Sequence, residues 1–181
     1  MRVLRTLPGA ESVRLLALDT DRSALDSTGL PEENLLLAGE VWRSGRGCGG
    51  SEIDGQRAVA HERPKLEELL KDSRFLVVIG GLGGGTASGG APIVLSVAAK
   101  LKVPNIFMMT LPFMLEGPRR RNLAEKVLNE SLFEVADAVV TLNNLSGTSS
   151  SAVFTQQANS TNALTLNNTD TTTYARSRAH V

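Results

Sequence analysis

Scarcity bounds this chain of 181 residues before any motif does. One cysteine, Cys48, excludes an internal disulfide and a cysteine-ligated metal site. Aromatic residues are only 4%, and the single tryptophan, Trp42, reads as a packing residue rather than a base-stacking one. Neither sign of charge is in excess, with Lys+Arg at 19 and Asp+Glu at 19, so nothing draws the chain to nucleic acid or to an anionic membrane surface. No apolar run approaches the roughly 20 residues of a membrane span. The basic N-terminus lacks a signal-type apolar core, because Pro8, Gly9 and Glu11 interrupt it early. The cytoplasm is the simplest compartment, with no direct membrane insertion. His61, beside Glu62 and Arg63 on an amphipathic segment, reads as solvated rather than catalytic.

What is present is concentrated between Phe75 and Lys100. The apolar run FLVVIGG reads as a buried parallel strand, LGGGTASGG as a loop, and APIVLSVAAK as an apolar helix. Seven glycines fall between Gly80 and Gly90, a density that is wasteful unless backbone turns sharply or comes close to something. Thr86 and Ser88 are candidate caps for the helix, and Pro92 fits its first turn. A helix opening on such a loop presents N–H groups to an anion. No Gly-Lys-Ser/Thr follows the glycines, so this is not a P-loop. The spacing of a dinucleotide fingerprint does not hold either, which leaves a dinucleotide oxidoreductase a weak reading.

The rest of the chain alternates strand and helix. Val13–Leu18 is a strand candidate ending in Asp19-Thr20-Asp21, where Asp21 can line a ligand pocket or cap the next helix. Asn34–Ala38 is a second strand. GEVWRSGRGCGGSEIDGQ follows, a second glycine-rich loop in which Cys48 reads as a small filler. Gln56–Lys71 is helical and broken or restarted at Pro64. Asn105–Thr110 is another strand, then Glu116, Gly117 and the arginines Arg119 to Arg121 open a helix whose dipole they oppose. A bound anion or a partner surface explains them better. Asp137–Leu142 is the last strand. From Ser146 onward 20 of 36 residues are Ser, Thr, Asn or Gln, too polar to order a core. The expected class is α/β: three layers, a mostly parallel sheet with helices on both faces. The expected division is a nucleotide-binding domain over 1–145 and a polar tail over 146–181.

The string GGLGGGTASGGAP resembles the signature loop G-G-G-T-G-[ST]-G of the tubulin and FtsZ family, with Ala87 in place of the middle glycine. Three further loops are similar to that family in the same order. LDTDRSAL keeps Thr20, Asp21 and Leu25. The second glycine loop keeps Gly45, Gly47, Gly49, Glu52 and Gly55. LPFMLEGPRR keeps Pro112, Phe113, Glu116, Gly117 and Arg120. Asn143 keeps the asparagine at the last strand's end, where an amide can read a purine edge.

The resemblance implies a Rossmann-like GTPase domain that binds GTP or GDP, with Mg2+ oriented through water by Asp21 and Glu52. It implies a polymerising cytoskeletal protein of cell division and septation, partnered by copies of itself or by an intact FtsZ-like subunit. The implied nucleotide-binding residues are Thr20, Asp21, Gly47, Cys48, Gly49, Gly83, Gly84, Gly85, Thr86, Ser88, Gly89, Glu116, Arg120, Asn143 and Phe154. Glu116 would contact the ribose, Arg120 would lie near sugar and phosphates, and Phe154 resembles the residue that stacks on guanine. The family's first strand with its G-x-G-G-x-G-x-N loop, central to the sheet, has no counterpart here. Met1–Leu7 aligns with the end of the first helix. The later loop bearing the water-activating acid is not found, so the expectation is a domain truncated at both ends, with no catalytic residue identified. A non-catalytic remnant that binds an intact FtsZ-like partner is the alternative.

Overall fold

The computed structural model describes residues 12–143 and 151–156. Expectations for Met1–Leu7, and for the polar tail apart from 151–156, lie outside the described residues. Strands and helices alternate: β1 (Ala17–Asp19), α1 (Arg22–Asp26), β2 (Leu35–Leu37), α2 (Glu40–Arg43), α3 (Glu52–His61), α4 (Arg63–Leu70), β3 (Leu76–Gly81), α5 (Gly85–Lys100), β4 (Asn105–Thr110), α6 (Pro118–Val127), α7 (Phe133–Val135), β5 (Ala138–Asn143) and β6 (Ser151–Gln156). The fold is α/β with parallel sheets and helices, as the alternation requires.

The strands form two sheets rather than one. β1 and β2 pair in parallel, with Ala17 opposite Leu35 and Asp19 opposite Leu37. β3, β4 and β5 form a parallel ladder in that order, and β6 closes its far edge antiparallel to β5, with Val140 opposite Phe154. Among the described residues no ladder joins the two sheets. β6 is a departure from expectation, since it lies in the segment read as too polar to order. Its centre, Val153-Phe154-Thr155, has strand-forming side chains, and the β5 ladder pairs its backbone.

Helices bind the sheets together. Leu36 and Ala38 from the first sheet pack with Ala58 and Val59 of α3, Leu66 and Leu70 of α4, and Ile93 and Val97 of α5. Leu18 of β1 and Leu76 of β3 lean on the same cluster. The opposite face of the first sheet is closed by Leu25 and Leu30 against Ala17 and Leu35. On the larger sheet, Phe107, Met109 and Val139 face Leu95 of α5 and Ala124 and Val127 of α6. β3 is therefore not buried on both sides. Phe75, Val77 and Ile79 are 53%, 46% and 64% exposed.

Local chemistry sets the helix ends. Asp21 caps α1, its carboxylate accepting the Ser23 N–H at 2.9 Å. Ser51 caps α3 by accepting the Asp54 N–H at 3.3 Å. The helical segment expected over 56–71, broken or restarted at Pro64, is two helices, α3 and α4. Pro64, in the first turn of α4, has no N–H to continue the earlier ladder. Pro92 is inside α5 rather than in its first turn, because α5 begins at Gly85.

Candidate functional site

The C-terminal ends of β1, β3 and β4 and the loop before α3 converge on the start of α5. Gly84 precedes that helix in extended backbone (φ −94°, ψ 168°), and no side chain caps it. The N–H groups of Gly85, Thr86 and Ala87 lack a carbonyl four residues back, as in any first helical turn. A Cβ built on Gly84 would meet nothing within 4 Å, and the same holds at Gly49 and Gly50 in the loop before α3. Uncapped donors beside open space, at the end of a sixteen-residue helix, suit an oxyanion.

The expected caps have other tasks. Ser88 Oγ accepts the Gly83 N–H at 2.9 Å, folding the loop back on its own helix. Thr86 Oγ1 lies 2.7 Å from Thr20 Oγ1 and donates to Asp19 Oδ1 at 3.2 Å. Cys48, buried, donates from Sγ to Thr20 Oγ1 at 3.2 Å. Thr20 and Cys48, both buried, and the half-buried Thr86 thus form one polar knot. Asp19, named in the sequence as part of the strand end Asp19-Thr20-Asp21 but not among the implied nucleotide-binding residues, anchors it. Its Oδ1 also accepts the Thr20 and Asp21 N–H groups at 2.6 and 3.2 Å. A carboxylate one and two residues before free N–H groups is the signal that could have found it.

The glycines divide into two kinds. A Cβ on Gly85 would lie 2.7 Å from Ser51 O and 2.8 Å from Cys48 Cβ. One on Gly89 would run into the backbone of Glu52 and Gln56, and one on Gly55 into the Gly85 carbonyl. Gly90 would meet Val59 Cγ2 at 2.7 Å. These positions let α3 and α5 cross backbone to backbone. Gly83, at φ +94°, makes the turn, and a side chain there would strike Pro112 Cγ at 2.6 Å and Arg120 O at 2.9 Å. At Gly47, φ +74°, an added Cβ would lie 3.6 Å from Asp21 Cβ. Gly84 and Gly49 face the open space, whereas Gly85 and Gly89 are packing glycines.

Gly83 also brings the loop after β4 to the site. Glu116 accepts the Phe113 N–H at 3.0 Å and an Arg120 guanidinium N–H at 2.6 Å. The Phe113 N–H first, and Arg120 second, hold the Glu116 carboxyl below its ordinary 4.5. Arg121 pairs with Glu125 at 3.1 Å. Glu52, expected near an ion, pairs with Lys126 at 3.1 Å and so links α3 to α6. Among the described residues no group of three His, Cys, Asp or Glu side chains could hold a metal by itself. His61 lies 3.2 Å from Glu62 at the end of α3, outside this cluster. Asn143 and Phe154 are placed by backbone only: Asn143 ends β5 opposite Ser151, and Phe154 lies in β6.

A family model described as the Tubulin/FtsZ family, GTPase domain, matches residues 5–151. The chain belongs to the Tubulin/FtsZ family. Its Tubulin/FtsZ match takes in β1 through the first residue of β6. The cell division protein FtsZ of Aquifex aeolicus (strain VF5) is 35% identical over 136 residues, covering 75% of this chain and 36% of that protein. FtsZ of Buchnera aphidicola subsp. Baizongia pistaciae (strain Bp) is 31% identical over 134 residues. An empty FtsZ dimer of M. jannaschii superposes with a TM-score of 0.67 at 30% identity, over 71% of this chain and 37% of that one. CetZ2 of Haloferax volcanii, a GTPgS-bound protofilament, gives 0.65 at 27% identity, over 74% of this chain and 42% of that one. The chain spans about a third of the length of the curated FtsZ relatives it matches. No helix of the described residues is long and apolar enough to cross a membrane.

Proposed function

We propose that this chain is a guanine-nucleotide-binding domain that holds the phosphates of GTP or GDP on the uncapped first turn of α5. The observation that carries the reading is the open space over Gly84 beside the N–H groups of Gly85, Thr86 and Ala87. Gly47 and Gly49 border the same space from the loop before α3, and Glu116 and Arg120 border it from the loop after β4. Thr20, Asp21, Cys48, Gly83, Ser88 and Gly89 shape the site from beneath. Asn143 supplies the amide for the purine edge, and Phe154 is the aromatic offered to the base. Residues 1–145 make up this domain in our reading, and the protein acts in the cytoplasm.

Bound magnesium would neutralise phosphate charge. Asp21, one of whose carboxylate oxygens caps α1, would orient it through water, whereas Glu52 pairs with Lys126. No described side chain stands as a water-activating group, so the chain alone binds nucleotide without turning it over. Likeness to FtsZ and to a CetZ2 protofilament supports assembly into a polymer with copies of itself or with an intact FtsZ-like subunit in cell division and septation. Calorimetry with GTP and with ATP, on the native chain and on Gly84→Val, tests the reading. GTP binding that is stronger than ATP binding and lost in the variant is expected. Unchanged GTP affinity in Gly84→Val would remove the phosphate assignment.

A further inference from the structure

We propose that Arg46 is the residue by which this site tells a nucleoside triphosphate from a diphosphate, its guanidinium taking the terminal phosphate. The inference rests on the nucleotide reading above. That reading puts the base at Asn143 on β5, the sugar at Glu116 after β4, and the phosphates on the first turn of α5, after β3. The three strands are neighbours in the order β3, β4, β5, so the phosphate tail runs away from β5. The start of α5 lies between two loops. A Cβ on Gly83 would meet Pro112 and Arg120, whereas one on Gly85 would meet Cys48 and Ser51. The last phosphate therefore comes nearest the second of these, the glycine loop that carries Arg46.

Backbone holds Arg46 in place. The Arg22 N–H donates to the Gly45 carbonyl at 3.0 Å, and the Gly47 N–H donates to the Thr20 carbonyl at 2.8 Å. These two bonds frame an antiparallel bridge that sets Arg46 directly opposite Asp21. Residues paired in this way carry their side chains close together on one face, where an Asp and an Arg ordinarily join. Here they do not. One Asp21 oxygen accepts the Ser23 N–H at 2.9 Å, and the exposed Arg46 has no hydrogen-bond or ion-pair partner among the described residues. Other side-chain donors at the site are engaged. A carboxylate only accepts, so Thr86 gives its one hydroxyl hydrogen to Asp19. Thr20 must then donate to Thr86, at 2.7 Å, while it accepts from Cys48. Neither threonine keeps a hydrogen for a phosphate oxygen. Arg120 is held by Glu116 and Lys126 by Glu52. Backbone N–H groups suit the inner phosphates. The added charge of a terminal phosphate calls for a cation, and a guanidinium meets it with a two-bond fork that an ammonium lacks.

The test is calorimetry of the full chain with GTP and with GDP in EDTA, so that no metal ion offsets the terminal phosphate. The native chain should prefer GTP. In Arg46→Met that preference should fall about tenfold, with GDP affinity changed less than about twofold, and Arg46→Lys should recover only part of it. Arg74→Met removes the same charge from an exposed position before β3, at the other end of the strand, and should leave both affinities unchanged. Melting temperatures check that the variants fold. Equal losses for GTP and GDP in Arg46→Met would reduce Arg46 to a general attraction for anions. Unchanged GTP affinity would show that the guanidinium does not reach the ligand. Either result, or equal binding of GTP and GDP by the native chain, overturns the proposal and leaves the phosphate site on α5 standing. Binding that appears only when magnesium is restored would assign the offset to the metal and overturns it likewise. No binding of GTP or GDP, with magnesium or without, would overturn both this proposal and the nucleotide reading.

Discussion

The two sides of the larger sheet make opposite demands on similar residues. On the α5 side, Phe107 and Met109 are completely buried and surrounded by Leu95, Val127 and Val139. On the other side, Val77 and Ile79 of β3 are as apolar as their neighbours and stand in the open. The smaller sheet shows no such contrast, being closed by apolar side chains on both faces. Hydrophobicity alone therefore does not say which strand face is core. What decides is whether a helix lies over it.

The sharpest test sets Phe107→Ala against Ile79→Ala in urea unfolding. Loss of the buried ring should cost about 3–5 kcal/mol, and loss of the exposed side chain within about 0.5 kcal/mol. Equal effects would mean that the open face is covered in solution. The same contrast exists among glycines. Gly55→Ala pushes a methyl into the Gly85 carbonyl and should destabilise by about 1–3 kcal/mol, whereas Gly84→Ala meets nothing and should leave the midpoint nearly unchanged. A smaller effect is expected where the first sheet meets its own helix. Asp21→Ala removes the cap of α1 and should cost about 1 kcal/mol, read from the same denaturation curves.

The smallest effect is electrostatic. The Glu116 carboxyl is held down in the folded chain by the Phe113 N–H and Arg120. Its contribution is present above the ordinary carboxylate value of 4.5 and is lost as pH falls through the lower folded value. Carbon-detected titration of Glu116 should give a midpoint below 4.5, rising toward it in Arg120→Ala. No movement in that variant would show that the Phe113 N–H acts alone.

The alternation of strand and helix was legible because glycine, proline and acidic residues punctuate it at each strand end. The signature loop was legible as a glycine-rich turn into a helix, and Gly84 and Gly49 face open space. The division of labour among the glycines was not. Gly85 and Gly89 look identical to Gly84 in sequence, and only the crossing of α3 over α5 separates packing from openness. Thr86 and Ser88 have the composition of helix caps, but α5 starts too early for them to act so. Asp19 was hidden because its partners include a threonine 67 residues away. The strand Ser151–Gln156 was masked by its polar surroundings, since its backbone partner is β5 rather than its neighbours in the chain.

The knot of Thr20, Cys48, Thr86 and Asp19 joins the smaller sheet to the first turn of α5. With no ladder between the sheets among the described residues, the smaller one is a candidate foldon, able to open by itself at a lower free energy than the rest of the described fold. Any anion gripped both by the turn that starts α5 and by the glycine loop before α3 would fasten that foldon. At a hundredfold excess over its dissociation constant such a ligand adds about 2.7 kcal/mol against opening. Occupancy at one end of the molecule would then govern how often β1 and β2 detach from the layer beneath them.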